Sequence, residues 1–136
     1  MIPKFSLIEL HMAAAHFPIG LLLSSAFFEV IGALRKKQGW REAAYWNHLL
    51  GVVSTIVVVT LGWFGNPYKT GEAAAKVAVH QYYGFAGLAI FTFLALWRWR
   101  MRNKWTRKTW PVYLLLTFIG AIVIGITGYL GSRILD

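Results

Sequence analysis

Long apolar runs alternate with short clusters of charge along this chain. The runs extend over about Leu7–Leu34, Tyr45–Phe64, Glu72–Trp99 and Trp110–Gly131. A membrane-crossing helix needs about 20 predominantly apolar residues, and each run meets that length. The pattern predicts an all-α fold, a polytopic membrane four-helix bundle of up-down-up-down topology, with residues 1–136 forming a single transmembrane domain.

Local signals refine the four runs. Pro18 removes a backbone donor and crowds the preceding turn, so either the first helix kinks there or its membrane portion begins near Phe17, the earlier segment lying at the interface. The basic stretch Arg35–Arg41 follows, with Gly39 as a stop signal and Trp40 at the interface. Gly65-Asn66-Pro67 ends the second run as a turn. Thr70-Gly71-Glu72 reads as a helix start, with Glu72 and Lys76 an i,i+4 pair on an exposed turn. The segment Arg98–Lys108 is basic and rich in Trp, and Trp110-Pro111 opens the fourth run with proline in a permitted first-turn position.

Composition narrows the class. Of the 136 residues 57% are hydrophobic and only 14% charged, against about 25% charged in a soluble domain. The net charge of +9 is carried by short connections beside apolar runs. The positive-inside rule explains it there without nucleic acid. The absence of cysteine excludes covalently attached c-type haem, cysteine-ligated iron–sulfur clusters, disulfides and thiol nucleophiles. One Lys precedes the first run, and the run continues too far for a signal h-region, so no cleavable signal peptide is expected.

Orientation follows from counting. Arg35, Lys36, Lys37, Arg41, Arg98, Arg100, Arg102, Lys104, Arg107 and Lys108 sit after runs one and three, against Lys4, Lys69, Lys76 and Arg133 at the other end. Both hairpin turns are expected in the cytoplasm, with both termini outside, periplasmic in a bacterial inner membrane.

The histidines are the candidate chemistry, because ionisable groups within spans are costly and usually functional. His16 precedes Arg35 by 19 residues and His80 precedes Arg98 by 18, about 28 and 27 Å along a helix. Both are therefore expected at one depth near the outer face, with His11 about a turn further out. His48 lies only seven residues past Arg41, too near the opposite side to join them.

His16 and His80 are each followed at i+4 by glycine, Gly20 and Gly84, and Gly87 extends the second patch. Positions i and i+4 share a helical face. A ligand above bare backbone on each of two helices suits a flat macrocycle held by two axial imidazoles, as in haem b. Arg133 at the same end is a candidate partner for its propionates. Small residues also serve ordinary close helix packing in membranes. The 64-residue offset between His16 and His80 suggests a duplicated hairpin. Glu29, the one acid within a run, lies at the depth of His48, which makes a Glu29–His48 contact one way to satisfy both; a plain structural pair, or reach to Arg35 or Lys36, is the alternative.

Leu10-His11, His16-Phe17-Pro18-Ile19-Gly20-Leu21-Leu22, His80 and Thr127-Gly128-Tyr129-Leu130-Gly131 together resemble the DUF2231 family of small four-span membrane proteins. The resemblance covers nearly the whole chain. The family commonly has proline directly after its first histidine, where this chain has Met12. The resemblance implies the four-span layout and no established chemistry.

The leading expectation is a b-type cytochrome-like electron-transfer subunit. It would bind one haem b near the outer face through His16 and His80, exchanging electrons with quinone or a periplasmic cytochrome. The alternatives are a cofactor-free accessory subunit of a larger respiratory or photosynthetic complex, or homo-oligomer, and a Cu or Zn site on His11, His16 and His80. No paired carboxylates, serine triad or phosphate loop supports hydrolysis or phosphoryl transfer.

Overall fold

The computed structural model describes residues 5–101 and 104–134; Lys4, Arg102, Asn103, Leu135 and Asp136 lie outside them. The described residues form five helices: α1 (Leu7–Ala14), α2 (His16–Arg35), α3 (Gln38–Gly65), α4 (Gly71–Met101) and α5 (Thr109–Ser132). Four stretches are long and apolar enough to cross a membrane, α1 and α2 together forming the first.

The local signals act where they stand. Ser6 caps α1 with a capping box, its side chain accepting from the Glu9 N–H while Glu9 accepts from the Ser6 N–H. The first helix breaks at Ala15, and Pro18 falls in the opening turn of α2, where its missing donor costs nothing. Asn66 accepts the Tyr68 N–H at 2.9 Å, closing the turn after α3. Gly71 takes a φ of 79° at the start of α4, and Lys76 pairs with Glu72 at 3.2 Å.

The stop between α2 and α3 differs from the expected one. Gly39 lies inside α3, and Lys36 makes the turn with φ 53° and ψ 29°. A side chain in this left-handed region costs roughly 1–2 kcal/mol. Lys36→Gly is therefore expected to stabilise the protein by about 1 kcal/mol in a denaturing-detergent titration, and Lys36→Ala to leave it unchanged.

Each hairpin packs in antiparallel register. Gly32 meets Arg41, Gly51 meets Leu22 and Gly62 meets His11; in the second hairpin Gly120 meets Phe91 and Gly131 meets His80. The buried positions of α2 are 18, 22, 25, 29 and 32. Those of α4 include 87, 91 and 94, the same stripe displaced by 69 residues. The buried positions 44, 48, 51, 55 and 58 of α3 return in α5 as 113, 117, 120, 124 and 127, again displaced by 69. The two hairpins are thus structural repeats offset by 69 residues rather than the expected 64.

The interior mixes polar side chains with an apolar cluster of Leu22, Phe91, Leu94, Tyr113 and Ile124, while the outside is apolar. Phe17, Phe27, Leu34, Phe64, Leu96 and Phe118 point outward, but Ser25, Thr55, Thr117 and Thr127 are buried. The three threonine hydroxyls return to the carbonyl four residues back, at 2.7–2.9 Å. Water would penalise so much exposed apolar surface, whereas lipid removes the penalty and leaves close backbone approach and internal hydrogen bonds to hold the helices together.

Candidate functional site

His11 and His80 meet at one end of the bundle. Their ring centroids are 6.1 Å apart with planes at 87°. His11 Nδ1 donates to the Val58 carbonyl at 2.8 Å, and His80 Nδ1 donates to the Thr127 carbonyl at 3.0 Å. A carbonyl oxygen only accepts, so each Nδ1 carries a proton, and in the neutral ring the Nε2 atom is then the one with the lone pair. Neither Nε2 hydrogen-bonds to a described residue.

The repeat builds this arrangement twice. Each histidine donates to the residue 47 positions later, on the second helix of its own hairpin. A glycine one turn beyond that carbonyl makes room for the ring. A Cβ on Gly62 would lie 2.7 Å from His11 Cε1, and one on Gly131 would lie 3.0 Å from His80 Cε1. A side chain at Gly62 would force the His11 ring to shift, and one at Gly131 would press the His80 ring by a few tenths of an ångström.

The expected pairing of His16 with His80 is corrected. His16 is exposed, while His11 and His80 are half-buried. The buried stripe of α2 starts at Pro18, and His16, two residues earlier, falls about 200° round the helix from it. The error in depth came from Arg98, which belongs to the bundle interior and not to the following connection. His80 precedes Lys104 by the same 24 residues as His11 precedes Arg35.

The expected glycine patch is corrected with it. Gly20 is exposed with nothing within 4 Å of an added Cβ, Gly84 faces only Thr127 Cγ2 at 3.8 Å, and Gly87 is filled by Ile124. Arg133 is exposed at the C-cap of α5, two residues beyond the Gly131 shelf.

A buried charge cluster marks the opposite end. Glu29 is fully buried and forms an ion pair with Arg98. Arg98 also donates to the Tyr113 hydroxyl at 3.3 Å and the Arg41 carbonyl at 2.8 Å, and its guanidinium lies over the Tyr45 ring. Tyr113 in turn donates to Glu29 at 3.4 Å. Glu29 therefore pairs with α4 and α5, not with His48, Arg35 or Lys36. His48 instead donates from Nε2 to the Phe91 carbonyl at 2.7 Å. Glu29 and Arg98 occupy equivalent places in the two repeats, 69 residues apart, as His11 and His80 do.

Among the described residues no group of three or more His, Asp or Glu side chains is placed to hold a metal ion. His16, the third member of the expected Cu or Zn set, is exposed, while His11 and His80 are half-buried with their rings together. The described geometry is that of two facing imidazoles, each with Nδ1 bonded to a backbone carbonyl.

The fold and this site define a multi-pass helical membrane protein with a facing histidine pair between two repeated hairpins. A family model matches residues 8–135, nearly the entire chain, and is described as a predicted membrane protein, DUF2231. The chain belongs to the DUF2231 family. No curated protein and no solved structure matches it.

Proposed function

We propose that the protein is a membrane electron-transfer subunit in which His11 and His80 coordinate one haem b iron. The observation that carries this reading is the pair of Nδ1–carbonyl bonds. A hydrogen bond from the non-ligating nitrogen is the usual support of a ligating histidine: it fixes the tautomer, aims the ring and raises its basicity. Edge-to-face packing alone accounts for the ring spacing, but it does not require both Nδ1 protons to be held by carbonyls. Two protein ligands also suit haem better than a bare Zn ion, because the macrocycle supplies the other donors.

The basic residues support an orientation. Among the described residues, Arg35, Lys36, Lys37, Arg41, Arg100, Lys104, Arg107 and Lys108 lie at the charge-cluster end, against Lys69, Lys76 and Arg133 at the histidine end. The histidine pair then sits at the outer face of a bacterial inner membrane, with both termini outside, where quinone or a periplasmic cytochrome is the electron partner.

The optical spectrum of the purified protein, expressed with haem supply, tests the reading. A Soret band and a reduced α-band are expected, lost in His11→Ala and in His80→Ala and retained in His16→Ala. A protein that binds copper stoichiometrically and no haem moves the same pair to Cu(I) chemistry. One that takes up neither is a cofactor-free accessory subunit, and the electron-transfer reading fails.

A further inference from the structure

A groove of about 310 Å³ opens on the outside of the first hairpin, at its basic end, lined by Phe27, Ile31, Arg35, Lys37 and Trp40. Its two halves differ in chemistry. Phe27 and Ile31 follow one another at i and i+4 on the outer face of α2, pointing where acyl chains run. Arg35 continues that row at i+8, and the left-handed turn at Lys36 carries the chain round to Lys37. Both cations are exposed. Trp40 closes the side, held by a tilted ring contact with Phe28 at 5.4 Å. No lining residue is acidic: Glu29, between Phe27 and Ile31 in sequence, is fully buried against Arg98, and Glu42 accepts from Gln38 Nε2 at 3.2 Å.

We propose that this groove is a specific site for one anionic phospholipid. The phosphate sits between Arg35 and Lys37, one acyl chain lies along Ile31 and Phe27, and Trp40 packs at headgroup level, where indole rings concentrate. Charge complementarity selects the occupant: two cations and no acid at the polar end call for a net negative headgroup. The apolar end calls for a chain that a free phosphate lacks. The repeat sets an internal control. The positions equivalent to Ile31, Arg35 and Lys37 in the second hairpin are Arg100, Lys104 and Thr106, so the second hairpin does not reproduce the groove.

The test is native mass spectrometry of the full chain in detergent, titrated with dioleoyl-phosphatidylglycerol or dioleoyl-phosphatidylcholine. One tightly held phosphatidylglycerol per chain is expected, with phosphatidylcholine at least tenfold weaker. Each cation at a membrane surface contributes about fivefold to binding an anionic lipid. Arg35→Gln and Lys37→Gln should therefore each weaken phosphatidylglycerol about fivefold, and the double variant about twenty-five-fold. Arg100→Gln/Lys104→Gln should leave it unchanged. Equal retention of the two lipids, an unaffected double variant, or displacement of the lipid by glycerol 3-phosphate at comparable concentration would each overturn the proposal. The substituted side chains are exposed, and circular dichroism of each variant verifies that the helices persist.

Discussion

Arg98→Leu is expected to destabilise the protein by about 3–5 kcal/mol, the largest effect of any single substitution considered. The change strands the Glu29 carboxylate at zero exposure with only the Tyr113 hydroxyl for company. Removing one member of a buried ion pair costs this much because the remaining charge keeps its desolvation penalty and loses its partner. It also frees the Arg41 carbonyl that Arg98 satisfies. Glu29→Leu/Arg98→Leu should recover most of the loss, since a well-packed apolar pair removes both charges together. The exchange Glu29→Arg/Arg98→Glu should lie between, because the positions are equivalent but Tyr113 is matched by Ala44 in the other repeat. Unfolding by denaturing-detergent titration reads all three. A single variant as stable as the parent would show that the carboxylate is hydrated or neutral.

Gly62→Val is expected to cost about 1–3 kcal/mol by overpacking and to abolish ligand uptake at the histidine pair. The added Cβ would lie 2.7 Å from both Nδ1 and Cε1 of His11. The ring must swing out, breaking the Nδ1 bond to Val58. Gly131→Ala should act on His80 in the same way but more mildly, since its Cβ would meet the ring at 3.0 Å. Gly20→Ala, with nothing within 4 Å, should be neutral or slightly stabilising in a helix interior. The order Gly62, Gly131, Gly20 is read from the haem or metal bound per chain. It separates the glycines that lie against the His11 and His80 rings from one that merely faces outward.

The four membrane-length helices were legible because the apolar runs are long and their ends carry strong punctuation: Pro18, Asn66-Pro67, Thr70-Gly71 and Pro111. The candidate site was half legible. Counting depth from Arg98 as though it lay beyond the helix sets His80 level with His16, whereas the ring facing His80 is that of His11. The Arg98 side chain is drawn inward by Glu29, a tertiary contact that hydropathy does not register. A usable signal lay in the second helices. Leu61-Gly62 and Leu130-Gly131 align at an offset of 69, as do Gly51 and Gly120, and the same offset places His11 against His80. Reading the repeat from the glycines rather than from the first histidines would have recovered the pair. Glu29 was recognised as the one acid in a span. Its partner is not legible from the adjacent helix, because the pair with Arg98 crosses between hairpins.

The Glu29–Arg98 pair dictates which hairpins are able to associate. Two copies of the first hairpin, meeting as these halves do, would press carboxylate against carboxylate in a dry interior; two copies of the second would oppose guanidinium groups. Only the unlike combination is neutral. Like a lock cut differently on each half, the pair commits every first hairpin to a second one, and tethering both in one chain guarantees that the mate is at hand.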